Sequence, residues 1–253
     1  MQILDQMTKL FLQNSKTNLN LCATTSLALL TLEKLIYDKK IDKAGLLNEL
    51  INVESIRDFR QNIAFNGEPI QVLMEKIAEN KSYGKNINDA YSLFNDEYYA
   101  SHGGISDIDL NAASALAREF IKTGLLSRLK IKDEFVSWFN SFSNHRNGNY
   151  YIPKEISDLL VGMADININD DVCIEWDAGA QLGIRAIEIT SKVVIENPVR
   201  SCIPLFIDIL TESDISFEIC DPIINPSRVS DGKLYRYDVT LSHPPFGLKS
   251  GIY

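Results

Sequence analysis

The feature that most restricts the fold is an alternation of short β-branched runs with helical stretches in the second half of the chain. Four runs have strand character: DVCIEW (171–176), KVVIE (192–196), ISFEIC (215–220) and YRYDVTLS (235–242). The stretches AQLGIRAIEI (180–189) and VRSCIPLFIDILTES (199–213) separate the first three of them and have helical spacing. Strands that alternate with helices pair in parallel through right-handed crossovers. The sequence therefore predicts an α/β fold, with any ligand at the carboxyl ends of the strands.

Residues 1–142 have a different pattern, because apolar residues recur at spacings of three and four. Such spacing predicts helices in LALLTLEKLIY (27–37), GLLNELINVESIRDF (45–59), PIQVLMEKIAEN (69–80) and NAASALAREFIKTGLL (111–126). The segment DEFVSWFNSF (133–142) places four aromatic side chains on one helical face, which favours packing against a neighbouring helix or domain. We therefore predict an all-α N-terminal domain over 1–142 and an α/β domain over 143–253.

Composition excludes several classes of function. The 253 residues carry a net charge of −9, which argues against this chain alone gripping a nucleic-acid backbone. Four cysteines and three histidines are scattered, so neither a disulfide framework nor a metal site is expected, and the predicted compartment is the cytoplasm. The longest mostly apolar run, residues 21–32, is too short to cross a bilayer.

Each predicted strand is followed by polar or conformationally special residues. The first leads into DAGAQLG, with Asp177, Gly179, Gln181 and Gly183, a pattern equally typical of a ligand-binding turn and of a simple tight turn. Glu196 ends the second strand 19 residues after Asp177 (196 − 177), a spacing typical of carboxylates that hold a ribose diol. A solvated acid at the start of the next helix is an equally good interpretation of Glu196. Asp221 follows the third strand and His243-Pro244-Pro245-Phe246 the fourth.

These strand ends resemble those of the amino-type DNA methyltransferases, most of all the modification subunits of type I restriction–modification systems and other adenine-N6 enzymes. The resemblance covers roughly residues 130–253 and is strongest in GNYYIPKEISDLLVGM (148–163), which is similar to the segment that opens the catalytic domain of that family. It implies a Rossmann-like S-adenosylmethionine-dependent methyltransferase fold, here truncated after its fourth strand.

The resemblance also implies roles for individual residues. S-adenosylmethionine is expected to contact Tyr150, Tyr151 and Pro153, and its methionine moiety the glycine-rich loop of Asp177, Gly179 and Gly183. Glu196 would bind the ribose and Asp221 the adenine amino group. The segment His243, Pro244, Pro245 and Phe246 would be the catalytic loop, accepting hydrogen bonds from a flipped-out adenine and stacking on its ring. A rigid Pro-Pro pair would hold those acceptors in place in advance.

The chain departs from the family pattern at several of these positions. His243 stands where the family has Asn, Asp or Ser, Gln181 where it has glycine, and Ile152 where it has Thr. These departures leave open the alternative of a catalytically degenerate methyltransferase-like subunit with a role in assembly. A protein-glutamine methyltransferase is a weaker alternative. The implied partners are DNA, a specificity subunit, a second modification subunit and a restriction subunit.

Overall fold

The computed structural model describes residues 2–14, 19–51, 70–100, 105–124, 152–176, 181–198, 201–230 and 232–244. The chain divides into two compact units, residues 1–127 and residues 128–253. The domain boundary predicted at 142/143 and the aromatic segment 133–142 both lie outside the described residues, so they stay predictions.

The described part of the first unit is helical. Its α-helices are α1 (Gln2–Asn14), α2 (Leu19–Tyr37), α3 (Lys43–Ile51), α4 (Ile70–Glu79), α5 (Lys85–Ala100) and α6 (Asp107–Lys122), with a 3-10 turn at Lys81–Tyr83. Helix α2 is the centre of this unit, since its residues from Leu21 to Leu32 are all buried. Tyr91 of α5 donates from its hydroxyl to the Ala28 carbonyl of α2 at 2.9 Å. Helix α6 begins after Ser106, whose Oγ accepts from the Asp109 amide at 3.2 Å.

The second unit is a mixed α/β structure with a four-stranded parallel sheet, which confirms the predicted fold class at that level. Its helices are α7 (Lys154–Met163), α8 (Gln181–Ala186) and α9 (Ile203–Thr211). The sheet strands are β1 (Val172–Glu175), β2 (Val193–Glu196), β3 (Ser216–Glu218) and β6 (Val239–Ser242), in the order β3-β2-β1-β6. The chain thus moves outward from β1 to β3 and then returns to the other side of β1. The strand order reverses between β1 and β6, which is where open α/β sheets bind ligands.

One element of the second unit differs from the sequence prediction. The strand predicted over 235–242 begins only at Val239, and the chain before it contains a short antiparallel hairpin, β4 (Val229–Ser230) with β5 (Lys233–Leu234). The residue before β6 hydrogen-bonds the residue before β1, since the Asp171 amide donates to Asp238 Oδ2 at 2.9 Å. The Asp231-Gly232 pair is a strong hairpin signal in the sequence, and Gly232 has the positive φ of +71° that such turns require.

Two further observations apply to the described residues. None of their helices combines the length and the apolar character needed to span a bilayer. All four cysteines are free thiols, and burial raises the pKa of Cys22 and Cys220 to about 11 and that of Cys173 to about 12.

Candidate functional site

The carboxyl edge of the sheet carries a row of glutamates on neighbouring strands. In the strand register, Glu196 of β2 lies opposite Glu175 of β1 on one side and Glu218 of β3 on the other. Paired residues of parallel strands point to the same face of a sheet. One face of the carboxyl edge therefore carries three adjacent carboxylates, which repel one another unless ligands or donors compensate them.

Backbone hydrogen bonds continue the sheet pattern past the strand ends and hold the following residues at this edge. The Trp176 amide donates to the Glu196 carbonyl at 2.9 Å, and the His243 amide donates to the Glu175 carbonyl at 3.1 Å. On the other side of β2, the Asn197 amide donates to the Glu218 carbonyl at 3.1 Å. The structure therefore brings Glu196 and His243 to one edge of the sheet, on either side of the end of β1.

Glu196 is the most unusual side chain of this edge. Only 2 % of the residue is exposed, and its Oε1 accepts a hydrogen bond of 2.5 Å from the Ser227 hydroxyl. No lysine or arginine of the described residues forms an ion pair with it. The interpretation of Glu196 as a solvated acid at a helix start is wrong, because the carboxylate is buried and α9 begins only at Ile203. A buried carboxylate with a single hydroxyl donor is poorly compensated and can accept further donors from a ligand.

His243 follows β6 directly and is half-buried. Burial lowers the pKa of its imidazole below the ordinary value, because a charged ring would lose hydration. The side chain is therefore neutral at pH 7, with one ring nitrogen in the acceptor form. Pro244, the next residue, is exposed.

Asp221 lies three positions after the end of β3 and is half-exposed. Its Oδ1 accepts from the backbone amides of Ile223 at 2.9 Å and Ile224 at 3.0 Å. The side chain therefore caps the turn that follows β3, and that oxygen is already engaged.

The position of Gly183 differs from the expectation, whereas its role toward a cofactor stays a prediction. The resemblance places it in the loop beneath the methionine moiety, whereas the structure places it inside helix α8. A Cβ added there would lie 2.5 Å from Ile195 Cδ1 of β2 and 3.2 Å from Cγ1 of the same side chain. The absence of a side chain at position 183 thus allows the helix to approach the sheet closely. Gln181, two residues earlier, is almost fully buried in the same helix.

Pro153 is exposed and immediately precedes helix α7, where its carbonyl accepts from the Ser157 amide at 2.9 Å. Helix α7 is joined to α8 by an ion pair of 3.0 Å between Asp158 and Arg185. The other predicted site residues lie outside the described residues; they are Tyr150, Tyr151, Asp177, Gly179, Pro245 and Phe246.

A cavity of about 240 Å³ opens at the opposite, amino edge of the sheet and was not predicted from the sequence. Its lining includes Asp171, Lys192, Asp214 and Arg228. Asp171 accepts from the Tyr235 hydroxyl at 2.5 Å and pairs with Lys192 at 3.2 Å, and these two contacts lower the pKa of its carboxyl. Because acids and bases of this cavity balance in number, it has no clear charge preference for a ligand.

The described residues contain no group of three or more His, Cys, Asp or Glu side chains arranged to hold a metal ion. Searches against protein-family models and against curated proteins found no match to this chain.

Proposed function

We propose that the second unit binds S-adenosylmethionine at the carboxyl edge of its sheet, and that the chain is a subunit of an adenine-N6 DNA methyltransferase of the restriction–modification type. The observation that carries the proposal is Glu196, a buried carboxylate beside the point where the strand order reverses, with which no cation of the described part of the chain pairs. A ribose diol offers the two hydroxyl donors that this carboxylate can accept.

The remaining residues of the edge fit such a ligand in part. S-adenosylmethionine supplies, when bound, a methyl group on a sulfonium sulfur; adenine N6 gains that methyl and gives up one proton. His243, neutral at pH 7, can accept a hydrogen bond from the adenine amino group in place of the family's Asn, Asp or Ser. Pro153, Tyr150, Tyr151, Asp177, Gly179 and Asp221 keep their proposed roles around the cofactor, and Pro244, Pro245 and Phe246 their roles beside the base.

The acidic chain is proposed to act on DNA with partners that supply most of the affinity. The net charge of −9 leaves little attraction for phosphates, so a specificity subunit and a second modification subunit would hold the duplex. A restriction subunit is a further proposed partner, and the cytoplasm is the proposed compartment.

The test is a calorimetric titration of the full chain with adenosine and with 2′,3′-dideoxyadenosine, followed by S-adenosylmethionine. We expect adenosine to bind and the dideoxy analogue to bind at least tenfold more weakly, because only the diol reaches Glu196. Glu196→Gln should remove this preference. Glu155→Gln, the same change at an exposed position of α7, should keep it. Absence of binding by every ligand at millimolar concentration would refute the proposal.

A second candidate function is a methyltransferase-like subunit that binds its partners but transfers no methyl group. It is favoured by the Ser227 hydroxyl, which already occupies Glu196, and by the buried Gln181 at the start of α8. The two candidates differ in a methylation assay with adenine-containing DNA and the partner subunits. Activity of the wild-type chain supports the enzyme, whereas activity that appears only in His243→Asn/Gln181→Gly supports the degenerate subunit.

A further inference from the structure

The chain between β3 and β6 forms a strap over the sheet, which we define as residues 221–230 and 232–237. It is bonded to the sheet near both edges. Near the carboxyl edge Ser227 donates to Glu196 at 2.5 Å, and near the amino edge Tyr235 donates to Asp171 at 2.5 Å. In between, Tyr237 lies beside Cys173, whose side chain is on the same face as Glu196. The strap therefore runs along the face that presents the buried carboxylate.

The two ends of the strap are attached with different strength. At the amino edge, the Asp238 amide donates to the Asp171 carbonyl at 2.9 Å, and the Asp171 amide donates to Asp238 Oδ2 at 2.9 Å. Together with the hydrogen bond from the Tyr235 hydroxyl, these bonds hold this end of the strap beside β1, immediately before β6 begins. At the carboxyl edge, Ser227 contacts Glu196 and hydrogen-bonds Cys220, which itself precedes the strap. The Ser227 end is thus the weaker attachment.

The strap buries little apolar surface. Ile223 is 76 % exposed and Ile224 71 % exposed, and Val229 and Leu234 of the hairpin are also exposed. Segments with few buried apolar contacts open at a low cost in free energy. Displacement of the Ser227 end therefore costs little beyond the hydrogen bonds that it breaks.

We infer that Ser227 is an internal competitor for Glu196 and that the strap gates the nucleoside site. This inference rests on the proposed function. Because Glu196 is only 2 % exposed and its Oε1 already accepts from Ser227, a sugar hydroxyl can take that position only after Ser227 has moved away. The Ser227 hydroxyl is the same kind of donor as a ribose hydroxyl, so binding exchanges one hydroxyl for two at the same carboxylate. The Tyr235–Asp238 end stays on β1 while the Ser227 end moves away.

The observed affinity equals the affinity of the open state multiplied by the fraction of molecules in which the gate is open. Loss of a hydrogen bond to a charged group typically changes an equilibrium constant about tenfold or more. Ser227→Ala removes the competing hydroxyl and leaves Glu196 buried without its donor in the closed state. We therefore expect this variant to bind S-adenosylmethionine about tenfold more tightly than the wild type.

The experiment is a calorimetric titration of the full chain with S-adenosylmethionine, using three variants beside the wild type. Ser227→Thr keeps the hydroxyl and should match the wild type. Tyr235→Phe removes the hydroxyl of the other attachment without freeing Glu196, and should change the affinity less than twofold. If Ser227→Ala binds as the wild type does, or if Tyr235→Phe gains as much, the competition by Ser227 is refuted while the proposed function stands. If neither wild type nor Ser227→Ala binds, both are refuted.

Hydrogen exchange of the wild-type chain gives a second readout that does not depend on the variants folding. In the free protein the Asn225 amide donates to the Asp221 carbonyl at 2.8 Å, inside the part of the strap near Ser227. We expect the amides of residues 223–225 and 227–230 to exchange faster at saturating S-adenosylmethionine, while those of Asp171 and Asp238 stay protected. Equal or greater protection of 223–230 in the bound state would overturn the gate.

Discussion

Among the described residues each unit buries one glutamate, but the two units compensate its charge in different ways. Glu33 of α2 is 3 % exposed, and Arg118 of α6 binds both of its oxygens, through Nε at 3.1 Å and Nη2 at 3.0 Å. The Ser114 hydroxyl adds a third donor. Glu196 of β2 is 2 % exposed, and the donor that the described residues provide to it is the Ser227 hydroxyl. The two acids are therefore equally buried and differ in the number and charge of their donors.

The difference has a consequence for stability. A bidentate guanidinium offsets much of the free energy that burial of a carboxylate costs, so the Glu33 pair joins α2 to α6. One neutral hydroxyl offsets far less, so the second unit retains part of that cost at Glu196. Proteins keep such poorly compensated groups mainly at sites where a ligand supplies the missing contacts.

The largest effect is expected when the compensated acid loses its cation. Arg118→Met leaves Glu33 buried with only Ser114, and we expect the free energy of unfolding to fall by about 3 kcal/mol. This is the lower end of the usual range because the Arg118 side chain is 39 % exposed. Urea denaturation measures the change. The control is Lys122→Met on the same helix, whose pair with Glu119 is exposed to solvent, so its loss should change the free energy of unfolding far less. Equal losses would show that Glu33 does not depend on its arginine.

A smaller effect is expected where α8 packs on the strand that ends in Glu196. Gly183→Ala places a Cβ against Ile195, and overpacking of this kind should lower the free energy of unfolding by about 1–2 kcal/mol. Gly162→Ala is the matched control, because its added Cβ would meet no atom within 4 Å on helix α7. That control should gain about 0.5–1 kcal/mol from helix propensity. An unchanged free energy of unfolding in Gly183→Ala would show that the Ile195 side chain can move aside. This packing would then not fix the position of the end of β2.

The same substitution, Glu to Gln, at each of the two acids tests the comparison directly. Glu33→Gln weakens the contacts to Arg118 and should lower the free energy of unfolding by about 2 kcal/mol. Glu196→Gln removes an uncompensated charge and should leave it within about 1 kcal/mol of the wild type, or raise it. Thermal and urea unfolding of both variants under the same buffer conditions decide this. A loss at Glu196 as large as that at Glu33 would mean that Glu196 is a structural acid.

The sequence predicts the strands and helices of the second unit better than the burial and contacts of the residues at the candidate site. Hydrophobic runs such as KVVIE carry their own strand signal, and helices between them require parallel pairing, so the mixed α/β fold follows from local pattern. The burial of Glu196 has no such signal, because its donor Ser227 is 31 positions away and lies in a segment without apolar periodicity. Gly183 illustrates the same limit. A glycine after a strand fits a ligand loop or a close helix contact equally well, and only the position of Ile195 decides between them.

The smallest expected effect concerns His243, the neighbour of Glu196 across β1. Burial lowers the pKa of its imidazole in the folded chain below the value of about 6.5 expected in the unfolded chain. Between these two values the unfolded state binds more protons, so stability falls as the pH drops below 6.5 and is unaffected by this group above it. His243→Asn removes this titration. The difference in unfolding free energy between the two chains should therefore be constant above pH 6.5 and shift in favour of the variant below it. A shift in favour of the wild type on acidification would mean that the folded protein stabilises the charged imidazole, which could not then accept a hydrogen bond from adenine.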